Sequence, residues 1–153
     1  MTPKEAQRGI RKLKKLFKKN VKIINKTLEE FDKEDSCYFS NESNRIYMIN
    51  FTKPQRYLYS LLHELGHYIQ KLNKENIFDQ EELLHAYSKC DSKEYLTTSE
   101  KNAIISVERE AWDIGKLIGR LLKTELNGDY ENLANENVLT YIKYIEKENT
   151  NET

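Results

Sequence analysis

The sequence predicts an α+β domain that is mostly helical, with a small antiparallel sheet or hairpin preceding a central helix. Apolar residues recur every three or four positions in several long stretches, which is the spacing of amphipathic helices. Between residues 37 and 49 the spacing changes to every second position, which is typical of strands. Soon after this change, residues 63–67 read HELGH and place two of the three histidines one helical turn apart.

The N-terminus has the features of a helix start. Thr2 and Glu5 have the spacing of a capping box, and Pro3 suits the first turn of a helix. We expect one long amphipathic helix from here to the polar residues 32–35, with its apolar stripe packed on the protein body. The apolar positions of this stripe are Ile10, Leu13, Phe17, Val21, Ile24, Leu28 and Phe31.

Charge is distributed unevenly along the chain. Residues 1–26 contain ten Lys or Arg and one acidic residue, a net charge of +9, and the rest of the chain carries −9. Nucleic acid is therefore an alternative partner for the basic helix, although no aromatic residues interleave with its lysines and no DNA-binding motif accompanies them. A solvated basic face beside an acidic body is the interpretation that we favour.

A hairpin is predicted before the central helix. Cys37–Phe39 and Arg45–Ile49 have strand character and are separated by a polar run, which is the pattern of two antiparallel strands and their turn. We expect Ile46–Ile49 to form a sheet edge above a cleft. An extended peptide could pair there as an additional strand.

Three further helices are predicted after the central one. Their expected bounds are residues 79–87, 97–127 and 130–147, with a loop over residues 90–96. Residues 1–148 are expected to form a single domain and residues 149–153 a disordered tail.

Composition favours a soluble protein of the cytoplasm. Of its 153 residues, 33% are charged, and no apolar run approaches the roughly 18 residues of a membrane-spanning helix. The N-terminus lacks the apolar stretch of a secretion signal. Cys37 and Cys90 form no CxxC motif, so reduced thiols are expected.

The HELGH run at residues 63–67 matches the HExxH pattern of zinc hydrolases. It lies on a helix predicted over about residues 52–72. Residues four apart on a helix lie one turn above each other, so His63 and His67 can bind one ion at about 2.0 to 2.1 Å. Glu64 points beside the ion, where it can take a proton from a zinc-activated water as general base.

A catalytic zinc ion usually has three protein ligands, so the two histidines need a partner. Glu108 and Glu110 are candidates on a later helix, and because they project about 200° apart, only one of them can ligate. Their angles from the apolar stripe, about 90° for Glu108 and about 70° for Glu110, leave both open.

Two features of the sequence match a known family. Residues 55–67 place an arginine and an aromatic residue before HELGH, and Glu110 directly precedes Ala111 on a later helix. In both features the chain resembles the ImmA/IrrE-type gluzincin metallopeptidases, over roughly residues 45–122. One departure is Trp112, which stands where the family often has asparagine.

This resemblance implies a zincin-like fold and a zinc-dependent metallopeptidase that hydrolyses peptide bonds in a peptide or protein substrate. That no membrane is a partner is expected from the lack of a long apolar run. It implies that Glu110 joins His63 and His67 as the third zinc ligand, with Glu64 as the catalytic base. Asp113, one turn after Glu110, would then be placed to accept a hydrogen bond from the free N–H of a ligand histidine.

Other families suggest other third ligands. His85 follows His67 by 18 residues, a spacing similar to that of the SprT-like metalloproteases, although Ala86 stands where that family has glycine. Cys37 precedes HExxH as the ligand cysteine of peptide deformylases does, but without their glycine-rich context. A zinc-binding interaction protein without turnover is the non-enzymatic alternative. Glu64 argues for an enzyme, because metal binding alone does not need it.

Overall fold

A computed structural model of the chain describes residues 1–27, 37–73, 80–92 and 94–149, and this part is mostly helical with one small sheet. The predicted α+β class is therefore confirmed. Residues 150–153 of the predicted tail lie outside the described residues. The elements are α1 (Pro3–Phe17), β1 (Lys22–Lys26), β2 (Tyr38–Ser40), β3 (Arg45–Ile49), α2 (Pro54–Leu72), α3 (Gln80–Asp91), α4 (Thr98–Leu121) and α5 (Gly128–Asn149).

Helix α1 begins as predicted but is much shorter. The Thr2 side chain accepts a hydrogen bond from the Glu5 amide, and the Glu5 carboxylate accepts one from the Thr2 amide at 2.6 Å, which completes the capping box. The helix ends at Phe17, and strand β1 follows. The expectation of one helix up to residues 32–35 was therefore wrong for residues 18–27, and the part of it that begins at residue 28 lies outside the described residues.

The sequence of β1 explains this difference. Val21, Ile23 and Ile24 are β-branched, and such residues favour the extended backbone of a strand. Val21 and Ile24 continue the spacing of three or four residues that the α1 stripe shows. A prediction from spacing alone therefore makes the helix too long. The change from helix to strand is visible only in the residue types.

The three strands form a mixed sheet in the order β1-β3-β2. The predicted hairpin is present, because β2 and β3 pair antiparallel, with Phe39 opposite Ile46. Strand β1 adds to the other side of β3 in parallel, so the sheet is not purely antiparallel. The expected edge at Ile46–Ile49 was wrong, because β3 is the central strand and is paired on both sides. Among the described strands, β1 and β2 are the outer ones.

Aromatic contacts join α1 and the sheet to α2. Tyr68 of α2 makes edge-to-face contacts with Phe39 of β2, at a centroid distance of 5.8 Å, and with Phe17 at the end of α1, at 6.2 Å. Such pairs add to the stabilisation that burial of their rings provides. They hold α2 between α1 and the sheet.

The later helices follow the prediction with shifted ends. Helix α3 continues to Asp91 and so takes up the start of the expected loop. Thr97 and Glu100 form a reciprocal cap at the start of α4, with the Thr97 amide donating to the Glu100 carboxylate at 2.8 Å. Helix α4 ends at Leu121 rather than at residue 127, and Lys123 just beyond it adopts a positive φ of 52°.

The described chain divides into two compact units, and the division falls within α4, after Glu110. One unit contains α1, the sheet, α2 and α4 from Ala111 onward. The other contains α3, the first part of α4, and α5, with a core around Ala86, Leu96 and Ile104. The expectation of one domain over residues 1–148 stays a prediction. None of the described helices is long and apolar enough to cross a membrane.

Candidate metal centre

Helix α2 carries the HELGH run and matches its predicted bounds. Pro54 occupies its first turn, as expected. Because Thr52 and Gln55 have capping spacing, the sequence predicts Thr52 as the cap of this helix. This prediction was wrong, because the residue in the cap position is Lys53 and its side chain makes no capping hydrogen bond. The apolar face of α2 is buried, and His63 and Glu64 are buried as well, with exposed fractions of 6% and 4%. This helix is therefore covered on more than one side.

Gly66 explains how a second helix reaches the histidine side of α2. A Cβ atom at this position would lie 2.1 Å from the carbonyl oxygen of Ala111 in α4, far inside any allowed contact. Only glycine permits so close a backbone approach. The approach brings the middle of α4 against the HELGH turn.

The two histidines of the motif face each other. The Nε2 atoms of His63 and His67 lie 3.2 Å apart. Two ligand atoms at about 2.0 to 2.1 Å from a tetrahedral zinc ion are separated by roughly 3.3 Å. The spacing of the two nitrogen atoms therefore fits a shared ion, as the four-residue spacing in the sequence predicted.

A buried glutamate joins the histidines. Ligand atoms of His63, His67 and Glu108 all lie within 4.8 Å of one another, and Glu108 is only 3% exposed. Two imidazoles and one carboxylate are a donor set that zinc commonly binds in catalytic sites. The protein thus contains a buried group of side chains that could hold a metal ion.

The third member of this group is Glu108 and not Glu110. Glu110 lies on the exposed side of α4 and does not belong to the group. The family resemblance implies Glu110 as the third ligand, and that assignment stays a prediction, whereas the group of ligand atoms found among the described residues contains the alternative, Glu108. The physical reason is that the two side chains leave the helix about 200° apart, so burial of Glu108 turns Glu110 outward.

Tyr87 holds the carboxylate of Glu108. Its hydroxyl donates a hydrogen bond of 2.6 Å to Oε1 of Glu108. Burial, followed by the nearby charge of Glu108, raises the pKa of Tyr87 well above its ordinary value of 10.0. The hydroxyl consequently keeps its proton at neutral pH and remains a donor.

Gln70 contacts the second histidine from the same helix. Its Oε1 atom lies 2.9 Å from Nδ1 of His67, and its side chain is 5% exposed. An amide oxygen can only accept, so Nδ1 of His67 is the donor in this pair. This tautomer leaves the lone pair of His67 on Nε2, the atom that faces His63.

Trp112 covers the ring of the first histidine. The two rings are nearly parallel, with 4.3 Å between their centroids and an interplanar angle of 18°. Trp112 is 4% exposed. The residue that departs from the family pattern thus packs directly on a candidate ligand and restricts the orientation of the His63 ring.

Glu64 lies inside the protein, and its charge acts on a buried thiol. Burial, and to a smaller extent the charge of Glu64, raise the pKa of Cys37 from 9.0 to about 11. The thiol also accepts a hydrogen bond from the Ile49 amide at 3.4 Å. The Cys37 thiol of the metal-free protein is therefore neutral at physiological pH.

The other predicted site residues lie elsewhere. His85 and Asp113 are exposed, and neither they nor Cys37 belong to the group of ligand atoms found among the described residues. The contact expected from Asp113 is made to His67 by Gln70 instead. Sequence reasoning assigned no role to Gln70, although its position three residues after His67 places it on the same face of α2.

Comparisons with known proteins add nothing to these observations. No protein-family model, curated protein or solved structure matches the chain. The similarity to the ImmA/IrrE-type metallopeptidases therefore remains an expectation from the sequence motifs. Any assignment of function has to be argued from the site itself.

Proposed function

We propose that this chain is a zinc-dependent metallopeptidase that hydrolyses peptide bonds. In this proposal His63, His67 and Glu108 hold the ion, and Glu64 is the general base. The observation that carries the proposal is the buried group of two imidazoles and one carboxylate, with the HExxH glutamate directly beside the first histidine. This combination of ligands and base is the one that zinc hydrolases need.

The donor set favours zinc over the alkaline-earth ions. Calcium and magnesium prefer sites made of oxygen ligands, whereas imidazole nitrogens with one carboxylate suit zinc. When bound, zinc polarises a substrate carbonyl and lowers the pKa of a water molecule to about 7. A carboxylate ligand also offsets part of the charge of the ion inside the protein.

Glu64 would move protons during the reaction. Its position in the motif directs its carboxylate beside the ligands rather than onto the ion. There it can accept a proton from the attacking water and then pass this proton to the amine that leaves when the peptide bond breaks. Because Glu64 is 4% exposed, its carboxylate is shielded from bulk solvent, where a proton would readily be lost.

The first test measures metal content and binding. Wild-type protein should hold about one zinc ion per chain by mass spectrometry, and His63→Ala and His67→Ala should each remove it, since each loses a ligand. Glu64→Gln should keep it. Trp112, the only tryptophan in the sequence, stacks on His63, so its fluorescence should change when zinc is added to metal-free protein.

The third histidine provides the matched control for this test. His85 is exposed and lies outside the candidate ligand group, so His85→Ala should bind zinc as the wild type does. Loss of zinc in this variant would favour the SprT-like alternative. Stoichiometric zinc in the His63→Ala, His67→Ala double variant would contradict the metal site altogether.

The second test concerns catalysis. Zinc-loaded wild-type protein should cleave members of a mixed peptide library, with products identified by mass spectrometry. Glu64→Gln should lower the rate by about 10² to 10⁴-fold, because it removes a general base and leaves the ligands in place. If the zinc-loaded wild type cleaves nothing, the chain is a zinc-binding protein without turnover. If Glu64→Gln cleaves as fast as the wild type, Glu64 is not the general base.

A further inference from the structure

Two polar side chains outside HExxH each hold one candidate ligand. Gln70 accepts a hydrogen bond from Nδ1 of His67 at 2.9 Å, and Tyr87 donates one to Oε1 of Glu108 at 2.6 Å. Each contact is made to the ring or the carboxylate of a candidate ligand, and it therefore restricts the orientation of that side chain. Neither residue was identified as part of the site by its sequence motif.

The contact of Gln70 sets the state of the His67 ring. A neutral imidazole carries one proton, and a metal ion needs the nitrogen that lacks it. Because an amide oxygen can only accept, this contact favours the tautomer with the proton on Nδ1, in which Nε2 keeps its lone pair. Nε2 is also the atom that lies 3.2 Å from Nε2 of His63. The hydrogen bond thus prepares His67 for metal binding before an ion arrives.

The contact of Tyr87 sets the orientation of the Glu108 side chain. A carboxylate has two oxygens, and the hydroxyl of Tyr87 binds one of them, so the direction of the other is fixed as well. Hydroxyl donors bound to a carboxylate form short and strong hydrogen bonds, and the 2.6 Å distance falls in that class. Glu108 is 3% exposed, so Tyr87 is a hydrogen-bond partner for a carboxylate that lies largely out of contact with solvent.

We propose that Gln70 and Tyr87 are positioning residues of the metal centre, the first for His67 and the second for Glu108. This inference rests on the proposed function. Partners of this kind orient metal ligands and raise their basicity, and their loss typically weakens metal affinity by about 10 to 100-fold. They explain how three side chains from two helices can be held ready for one ion.

The experiment compares matched substitutions. Tyr87→Phe removes only a hydroxyl. Its control is Tyr59→Phe, because Tyr59 is buried and its hydroxyl donates a hydrogen bond of 2.9 Å to Asn127 rather than to a candidate ligand. Gln70→Met keeps the length of the side chain and removes the acceptor. Its control is Gln55→Met, since Gln55 lies on the same helix and donates to the Met1 carbonyl.

Two readouts separate positioning from stability. The zinc dissociation constant is measured by competition with a chelator, and the visible spectrum of cobalt(II) reports the ligand geometry. Tyr87→Phe and Gln70→Met should each bind zinc about 10 to 100-fold more weakly, with altered cobalt spectra, and the two controls should match the wild type. Thermal unfolding of the metal-free proteins shows whether all variants are folded.

A conservative variant at Gln70 should keep zinc affinity rather than lower it. Gln70→Glu retains an acceptor at this position. A carboxylate acceptor raises the basicity of the histidine further, so the zinc affinity of this variant should equal or exceed that of the wild type. A purely structural role for Gln70 predicts a loss instead.

The outcomes distinguish the two proposals. If Tyr87→Phe and Gln70→Met bind zinc as tightly as the wild type and with the same cobalt spectrum, the positioning roles are wrong while the metal centre stands. A loss of affinity in Gln70→Glu as large as that in Gln70→Met also overturns the role of Gln70. If the wild type binds neither zinc nor cobalt, the metal centre itself is wrong, and the positioning roles with it.

Discussion

Glu108 and Glu110 are two residues apart on α4, but their surroundings differ completely. Glu108 is buried, accepts a hydrogen bond from Tyr87 and lies with the two histidines, whereas Glu110 is exposed. A carboxylate in the first setting is an available metal ligand. A carboxylate in the second setting lies at the protein surface, outside this group of ligand atoms.

The two glutamates allow a test of the ligand set. Glu108→Gln should weaken zinc binding strongly and abolish cleavage, because a neutral amide is a much poorer ligand than a carboxylate that binds at about 2.0 to 2.2 Å. Glu110→Gln makes the same chemical change on the solvent side of α4 and should leave both properties near those of the wild type. Zinc affinity and peptide cleavage are the measurements.

The opposite result would be equally informative. Zinc loss in Glu110→Gln with normal binding in Glu108→Gln would restore the ligand assignment that the family resemblance implies.

For individual residues, the sequence predicts those contacts that depend on one helix alone. The pairing of His63 with His67 follows from their spacing and is found in the structure. The choice between Glu108 and Glu110 depends on which face of α4 is covered. The angle of each glutamate from the apolar stripe does not show which face is covered, because Tyr87, which contacts Glu108, comes from a different helix.

Among the elements, α2 was the most predictable and β1 the least. The bounds of α2 agree with the prediction because Pro54 marks its start and its apolar residues keep helical spacing throughout. Strand β1 was missed because Val21 and Ile24 also fit helical spacing. Its pairing with β3 is a long-range contact, and it is this pairing that moves β3 from the edge to the centre of the sheet.

The close approach of α2 and α4 gives a prediction at the scale of elements. Gly66→Ala places a methyl group 2.1 Å from the Ala111 carbonyl oxygen, so the two helices must separate. We expect the free energy of unfolding to fall by about 1 to 3 kcal/mol or more and zinc affinity to fall with it. Chemical denaturation and chelator competition measure the two effects.

Gly128 offers a matched control for this substitution. It is also helical, and a Cβ atom there would meet nothing within 4 Å, so Gly128→Ala should change stability by less than about 1 kcal/mol and leave zinc binding unchanged. Equal stability and affinity in Gly66→Ala and the wild type would show that the contact with Ala111 does not hold the two helices in place.

For the molecule as a whole, the sequence predicted the fold class and the motif but not the long-range arrangement. Helices and the hairpin follow from local spacing, whereas the parallel pairing of β1 and the burial of Glu108 depend on residues far apart in the chain. Burial has a further effect that the sequence does not reveal. It shifts the proton affinities of groups such as Cys37 and Tyr57, whose pKa values rise to about 11 and about 12.

The shift at Cys37 makes stability depend on alkaline pH. Below pH 9 the thiol is protonated in both the folded and the unfolded chain, so it contributes no pH dependence. Between pH 9 and 11 the unfolded chain releases this proton while the folded protein retains it, because burial raises the pKa of Cys37 from 9.0 to about 11. The free energy of unfolding should therefore fall by about 2 to 3 kcal/mol over this range from Cys37 alone.

Cys37→Ser isolates this contribution. The serine hydroxyl does not titrate in this range, and it can still accept the hydrogen bond that the Ile49 amide donates to the thiol. Urea denaturation of metal-free protein at pH 8, 9, 10 and 11 should show a shallower loss of stability in Cys37→Ser than in the wild type. Parallel curves for the two proteins would mean that the Cys37 thiol ionises equally easily in both states, and hence that it is not buried as the structure places it.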